Sequence, residues 1–296
     1  MTHDLPQPLI DAAALRRRLD AGRPTVLVDC SFDLADRDAG RRAHAEARLP
    51  GAQYLHLETD LSGPQHDAEG RFRGRHPLPD RASLAARLAA IGVAPGMAVV
   101  AYDRSGGPFA ARAWWLLRWL GHAPVAVLDG GLAAWTAAGG AVEAGPAPVP
   151  APATAWPPSP EPALPVIEAD ALQRALGRVT LVDARAAERW RGEVEPLDAV
   201  AGHIPGAQNR FYGLNLDGDG RFLPPQALRA AWQPLMQPGE PVVHQCGSGV
   251  TACHNLLAQA AAGLGDGVLY PGSWSEWSAD PARPVARGQP CRQRGG

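Results

Sequence analysis

One cysteine stands in a sequence context that suits a nucleophile. Cys246 follows the short apolar run 241–245, and the small residues Gly-Ser-Gly come before a helical pattern that begins at Thr251. Small residues let a loop curl so that backbone N–H groups point inward, and the helix adds the positive end of its dipole. Such a cradle favours the thiolate, the nucleophilic form of cysteine. We therefore predict that Cys246 is a covalent catalyst rather than a buried packing residue.

The elements that must position this cysteine follow an α/β pattern. Short apolar runs alternate along the chain with helical patterns such as 109–120 and 227–236. This alternation is typical of parallel strands covered by helices on both faces of a sheet. Cys246 is therefore expected at the carboxyl end of a strand, where the following helix begins.

The chain repeats this plan twice. Similar segments recur in the same order in the two halves, and this makes chance similarity improbable. The paired segments are 25–29 and 179–183, 48–52 and 203–207, 99–103 and 242–246, and 128–135 and 270–277. We predict two tandem α/β domains at 1–143 and 165–296. A linker at 144–164 joins them, because this stretch is dense in proline and alanine and includes Pro157, Pro158 and Pro160.

The two halves differ at the position of the cysteine. The first half has Asp103 where the second has Cys246. A carboxylate cannot act as a sulfur nucleophile, so the first domain is predicted to be inactive. It also carries a longer segment, 60–79, rich in arginine and histidine. This insertion is either a lid over the neighbouring site or a solvated surface loop.

Composition excludes several function classes. The chain has 296 residues, a formal net charge of -2 and no lysine. The length suits two domains that each bury a core. The charge gives no argument for nucleic acid or a membrane surface, and Schiff-base chemistry is excluded. No cofactor is expected because no glycine-rich dinucleotide or phosphate loop occurs.

The cysteines point to a reducing compartment. Cys30, Cys246, Cys253 and Cys291 are too scattered for a disulfide framework, and they form no zinc pattern with histidines. We therefore expect no metal and, in the absence of a leader or membrane-spanning pattern, a cytoplasmic protein. Cys253 is either an inert core residue or a resolving thiol for Cys246, and we favour the core.

Three motifs of the chain resemble one family. They are Gly-His-Ile-Pro-Gly-Ala at 202–207, the loop from Cys246 to Cys253, and Gly-Ser-Trp-Ser-Glu-Trp at 272–277. With the inactive first half they resemble the tandem-domain sulfurtransferases, rhodanese and 3-mercaptopyruvate sulfurtransferase. The resemblance implies two similar domains with five-stranded parallel sheets. It also implies transfer of a sulfane sulfur from 3-mercaptopyruvate or thiosulfate, through a Cys246 persulfide, to a thiol or cyanide.

The resemblance further implies roles for the loop residues. Thiosulfate-type members carry arginine and lysine directly after the cysteine, whereas mercaptopyruvate-type members resemble this chain, with Gly247 and Ser248. The serine would polarise the donor together with His76 and a carboxylate, either Asp60 or Glu58.

Donor and persulfide binding are implied in the same way. Arg189 matches the family's first donor-binding arginine. The second maps near Leu197, so a single arginine is expected to hold the donor's anionic group. The loop residues that would stabilise the persulfide sulfur through their N–H groups are Gly247, Gly249, Val250 and Thr251.

Two other interpretations are weighed beside this one. A cysteine phosphatase needs an arginine six residues after its nucleophile, and Ala252 occupies that position, so this interpretation is nearly excluded. A persulfide carrier or sensor, loaded by a protein partner, needs the same cysteine and stays open. For the enzyme, the expected partners are a small anionic sulfur donor and a thiol acceptor, either a small thiol or a thioredoxin-like protein.

Overall fold

A computed structural model describes residues 5, 8–154 and 161–288. The linker prolines at 157, 158 and 160, and Cys291, lie outside the described residues. Within the described part, no helix is long and apolar enough to cross a bilayer, and no three His, Cys, Asp or Glu side chains are grouped as metal ligands.

The first domain is built on a five-stranded parallel sheet with the order β1-β5-β4-β2-β3. Its strands are β1 (Leu9–Ile10), β2 (Thr25–Asp29), β3 (Gln53–Tyr54), β4 (Ala98–Tyr102) and β5 (Val125–Leu128). Its helices are α1 (Ala12–Asp20), α2 (Ala39–Glu46), α3 (Arg81–Ala90), α4 (Pro108–Trp119) and α5 (Gly131–Ala137).

Successive side chains of β4 point to opposite faces of this sheet. Val99 and Ala101 join a buried cluster that contains residues of α3 and α4. Val100 and Tyr102 join a second cluster with residues of α1 and α5. Helices therefore cover both faces, as the apolar strand pattern predicts.

The second domain repeats this plan with a smaller sheet, ordered β7-β6-β8-β9. Its strands are β6 (Thr180–Asp183), β7 (Gln208–Asn209), β8 (Val242–Gln245) and β9 (Val268–Leu269). Its helices are α6 (Ala169–Ala175), α7 (Ala187–Arg191), α8 (Pro225–Trp232), α9 (Thr251–Ala261) and α10 (Ser273–Ala279).

Two expectations for this domain need correction. The sheet has four strands rather than five, because a single parallel bridge between Val166 and Leu269 stands where a fifth strand would be. The helix predicted at 227–236 ends earlier: α8 stops at Trp232, and a short 3-10 turn follows. Pro234 lies within that turn, and proline cannot donate the N–H that an α-helix needs.

The cores of the two domains are not separate. One buried apolar cluster runs from the first sheet through α4 and α9 into the second sheet. Each domain also buries a smaller apolar cluster of its own on its other face. Helices α4 and α9 lie against each other at the domain interface, which brings the first domain close to the Cys246 loop.

The described part of the linker runs along the first domain. Arg48 donates hydrogen bonds to the carbonyls of Gly145 and Pro146, and Ala153 N–H bonds to Ala89 O. No helix or strand is present in residues 144–154. The bounds 1–143, 144–164 and 165–296 stay predictions.

Candidate active site

Cys246 lies directly after β8, in a loop that leads into α9. The residue is only 2% exposed. The Gly249 N–H lies 3.1 Å from Cys246 Sγ and points at it, so the loop curls around the sulfur. Gly249 has φ +76°, a left-handed conformation that glycine adopts without strain, and a Cβ there would meet Pro271 O at 2.4 Å. The loop therefore requires glycine at this position.

The segment before and within α10 supports this loop. Cys246 N–H donates to Ser273 Oγ at 3.1 Å, and Trp274 N–H donates to Cys246 O at 3.0 Å. Ser275 N–H donates to Gly247 O at 2.9 Å. Ser273 is a non-glycine residue with positive φ, 54°. Sequence reasoning identified Gly-Ser-Trp-Ser-Glu-Trp at 272–277 as a motif but assigned no role to these two serines.

The insertion at 60–79 brings His76 to the same loop. His76 Nδ1 lies 2.8 Å from Ser248 Oγ, and its Nε2 lies 3.8 Å from a Glu58 carboxylate oxygen. Burial, with the positive charges of Arg112 and Arg75, lowers the pKa of His76 to about 3. The imidazole is therefore neutral at neutral pH. In a neutral imidazole one nitrogen donates and the other accepts, so a proton on Nδ1 is donated to Ser248 Oγ and leaves the Ser248 hydroxyl proton free.

The structure does not bring Asp60 to this group. Its Oδ1 pairs with Arg87 Nε at 2.8 Å, and its Oδ2 accepts the His56 N–H at 2.7 Å. Both oxygens are held by the body of the first domain, so Glu58 is the carboxylate beside His76. Glu58 and Asp60 are two residues apart in an irregular segment. No periodic pattern in the sequence indicates which of the two faces His76.

A cavity of about 430 Å³ opens beside the sulfur, between the two domains. Loop residues Gly247, Ser248, Val250 and Thr251 line it together with Cys246. The other charged or polar residues of its wall include His76, Arg75, Arg185 and Arg189. A small anion in this space would meet the sulfur, the loop and guanidinium groups together.

Arg189 reaches the cavity from α7 and is held by two carboxylates. Its Nη2 lies 2.6 Å from Glu195 Oε1 and 3.6 Å from Asp198 Oδ2. Arg185 is less available because Asp183, Glu195 and the Gly202 carbonyl bind its guanidinium. Arg189 thus lines the cavity that contains Cys246, and its role in donor binding stays a prediction.

Sequence reasoning missed the arginine that the insertion adds to this wall. Arg75 forms an ion pair with Asp198 across the domain interface. Its backbone N–H also donates to Ser275 Oγ at 3.1 Å. Arg75 directly precedes His76, so any contact of His76 with the loop also carries Arg75 to it. That adjacency was the available signal.

A second missed residue, Arg112, is fully buried in α4. It donates to the carbonyl oxygens of Leu61, His76 and Pro77 in the first domain and to Gly249 O, at 3.3 Å, in the second. Its side chain therefore ties the insertion to the Cys246 loop. An arginine inside an apolar helical run was the signal for such a role, since buried arginine needs several acceptors.

Cys253 lies inside α9 and is fully buried. Its Sγ approaches Gly249 O at 3.3 Å, and burial raises its pKa to about 12. A thiol with that pKa is protonated at neutral pH and unsuited to attack. This geometry favours the core interpretation of Cys253.

Fold and site together define a class of enzyme, in which two similar α/β domains enclose a cysteine that can carry a transferred group. The family model of the rhodanese-like domain matches residues 11–138 and again 168–280. The chain therefore belongs to the rhodanese-like domain family and contains two copies of the domain.

Sequence relatives are similar to this protein along almost the whole chain. A probable 3-mercaptopyruvate sulfurtransferase of Pseudomonas aeruginosa is 50% identical over 95% of this chain and 98% of that protein. A putative thiosulfate sulfurtransferase of Mycobacterium tuberculosis is 44% identical over 95% and 98%. The structure of 3-mercaptopyruvate sulfurtransferase from Leishmania major has a TM-score of 0.78 at 32% identity, covering 94% of this chain and 75% of the other. The protein is a sulfurtransferase.

Proposed function

We propose that this sulfurtransferase uses 3-mercaptopyruvate as its preferred donor and carries the sulfur as a Cys246 persulfide. The hydrogen bond between Ser248 and His76 is the observation that supports this donor. Loss of sulfur from a mercapto-keto acid leaves an enolate that must take up a proton, whereas sulfite leaves thiosulfate without one. A relay that handles a proton beside the sulfur therefore favours the keto-acid donor.

In the first half-reaction the Cys246 thiolate attacks the donor sulfur. An S–S bond forms, the donor C–S bond breaks, and its electron pair leaves as the enolate of pyruvate. The proton of the resulting Cys246–S–SH then passes to the enolate, directly or through water, which gives pyruvate and leaves the persulfide as an anion. With its proton on Nδ1, neutral His76 donates to Ser248 Oγ, so the Ser248 hydroxyl can donate its own proton to the donor's oxygen while this charge develops.

The loop then stabilises the persulfide. Gly249 N–H already points at Cys246 Sγ, and the positive end of α9 faces the loop. The N–H groups of Gly247, Val250 and Thr251 are proposed to receive the outer sulfur, which is the anionic atom of a deprotonated persulfide. An acceptor thiolate attacks that outer sulfur, takes it as a new persulfide and releases the Cys246 thiolate.

The donor carboxylate is proposed to bind Arg189. A guanidinium matches a carboxylate with two parallel N–H bonds, and Arg189 lines the cavity that contains Cys246. Because Cys246 is 2% exposed, the donor must enter that cavity to be attacked. This enclosure favours turnover of a small donor over loading by a protein.

The acceptor and compartment are proposed from the cysteines. Cys30, Cys246 and Cys253 are free and buried. Free thiols persist in a reducing compartment, where small thiols and thioredoxin-like proteins are available to take the sulfur. We therefore propose the cytoplasm and a thiol acceptor.

Steady-state kinetics with both donors tests the proposal. Release of pyruvate and of sulfite is measured against donor and acceptor concentration, with Cys246→Ser as the inactive control. We expect ping-pong kinetics and a higher kcat/KM with 3-mercaptopyruvate. A higher value with thiosulfate would overturn the donor assignment. No turnover with either donor would favour a carrier loaded by a protein partner.

A further inference from the structure

We propose that Arg75, supplied by the first domain, is a second ligand for the donor anion, and that Asp198 makes the site select singly charged donors over dianions. This inference rests on the proposed function, because it concerns how the same cavity chooses its donor. It assigns to the insertion and to the loop after α7 a role in specificity.

The side chains of Arg75 and Arg189 both lie close to Gly247, the residue that follows Cys246. A Cβ built on Gly247 would lie 2.8 Å from Arg75 Nη2, and 3.6 and 3.7 Å from the two Nη atoms of Arg189. Both guanidinium groups therefore lie against the residue that follows Cys246. A donor whose sulfur meets Cys246 places its anionic end within reach of both.

Asp198 bridges the same two arginines. It forms an ion pair with Arg75 Nη1, and its Oδ2 lies 3.6 Å from Arg189 Nη2 without a hydrogen-bond partner. The Asp198 side chain is 8% exposed. Like-charged guanidinium groups repel each other when held side by side, and a carboxylate between them offsets that repulsion. Asp198 therefore allows the site to hold two arginines from different domains.

The charges of this cluster balance before the donor arrives. Arg75, Arg185 and Arg189 face Asp183, Glu195 and Asp198 in connected ion pairs. A balanced cluster accepts one added negative charge more readily than two. 3-Mercaptopyruvate with its thiol protonated carries one charge, and thiosulfate carries two. The carboxylate at 198 thus penalises thiosulfate more than the keto acid.

The first test removes the charge at position 198. Asp198→Asn leaves the cluster with one net positive charge, so the ratio of kcat/KM for thiosulfate to that for 3-mercaptopyruvate should rise about tenfold. Glu193→Gln is the matched control, because Glu193 pairs with Arg191 outside the cavity and its loss removes the same charge. A ratio that stays within twofold of wild type would overturn the selectivity role.

The second test removes the guanidinium at position 75. Arg75→Gln should raise KM for both donors about tenfold with little change in kcat, and Arg75→Lys should restore part of the loss. Arg73→Gln is the control, since Arg73 lies two residues away and pairs with Glu168 and Glu276. An unchanged KM in Arg75→Gln would overturn the binding role.

Binding to the Cys246→Ser protein separates this inference from the proposed function. Calorimetric titration of that protein with each donor, with and without Asp198→Asn, measures selectivity even where no sulfur is transferred. A rise in the affinity for thiosulfate relative to that for 3-mercaptopyruvate in the Asp198→Asn protein supports the inference. A ratio of the two affinities that is the same with and without Asp198→Asn overturns it. Failure of the wild type to gain sulfur from either donor would instead contradict the proposed function.

Discussion

The loops after β4 and β8 have the same design and different occupants. Asp103 and Cys246 each end a strand, and each is followed two residues later by serine and three residues later by a left-handed glycine, Gly106 or Gly249. The carboxylate of Asp103 accepts N–H groups from within its own loop and helix. The donors are Ser105, Gly107, Phe109 and Ala110, at 2.8 to 3.0 Å.

This difference shows what the loop can bind. In the first domain the loop is filled by a covalently attached anion, and burial raises the pKa of Asp103 while the four N–H groups oppose that rise. In the second domain the side chain is a thiol, and Gly249 N–H points at its sulfur. The same loop design is suited to catalysis where the anion that it holds is also a nucleophile.

The domains also contact each other reciprocally. Arg112 of α4 donates to Gly249 O at 3.3 Å, and His254 Nε2 of α9 lies 3.0 Å from Gly106 O. Burial lowers the pKa of His254 to about 4, so it is neutral at neutral pH. Only the contact toward the active loop therefore carries a positive charge. The first domain contributes that charge, the insertion and part of the wall of the cavity.

The largest expected effect comes from making the second loop like the first. Cys246→Asp should abolish sulfur transfer, with kcat falling by about 10⁴-fold or more, because a carboxylate cannot form a persulfide. Its thermal stability should stay near that of wild type, because the loop can hold a carboxylate. Cys253→Ala should keep most activity. Loss of activity in Cys253→Ala as complete as in Cys246→Asp would break the comparison.

The next effect concerns the serine that both loops share. Ser248→Ala should lower kcat with 3-mercaptopyruvate by roughly 10²-fold, because the enolate loses its hydrogen-bond donor. The loss with thiosulfate should be several-fold smaller, since sulfite leaves without a proton. Product release assays with each donor measure the two losses. Equal losses would show that Ser248 shapes the loop rather than the proton path.

Loss of the Arg112 contact should destabilise the protein more than loss of the His254 contact. Arg112→Met removes the side-chain donor of four buried carbonyl groups, of which those of Leu61 and His76 accept from no other group in the described part of the chain, so the free energy of unfolding should fall by about 3 kcal/mol and kcat/KM should fall with it. His254→Gln should lower the free energy of unfolding by about 1 kcal/mol and leave kcat/KM unchanged. Urea titration and kinetics on the same samples measure both. Equal effects on kcat/KM would contradict the asymmetry.

The smallest expected effect is a pH dependence of the free energy of unfolding that is caused by His76 of the first domain. The unfolded chain protonates His76 near its ordinary pKa of 6.5, whereas the folded chain protonates it only near pH 3. Its contribution to stability is therefore complete above pH 6.5 and declines as pH falls toward 3. His76→Asn should flatten the decline of the unfolding free energy between pH 7 and 4. An identical slope in both proteins would contradict a buried neutral His76.

The sequence predicted much of this site because its signals are local. The apolar run, Cys246 and the small loop residues occupy consecutive positions, so strand, turn and helix could be read together. The repeat likewise predicted both sheets and identified Asp103 as the counterpart of the cysteine. These features depend on near neighbours along the chain.

The remaining features depend on contacts between distant segments. Arg75 contacts Asp198, and Arg112 contacts Gly249, across the interface between the two domains, and no pattern within either segment indicates these contacts. Asp60 and Glu58 look equivalent in the sequence, yet Asp60 forms an ion pair with Arg87 of α3 and so does not face His76. Ion-pair partners across an interface are chosen by tertiary packing, which a single sequence does not display.

Intact mass spectrometry after brief exposure to 3-mercaptopyruvate tests most directly whether the second loop alone carries the sulfur. The experiment compares wild type, Cys246→Ser and Cys253→Ser, before and after addition of a thiol acceptor. We predict that wild type and Cys253→Ser gain the mass of one sulfur atom and lose it to the acceptor, while Cys246→Ser gains none. Sulfur on Cys246→Ser, or none on wild type, would contradict the assignment of Cys246 as the carrier.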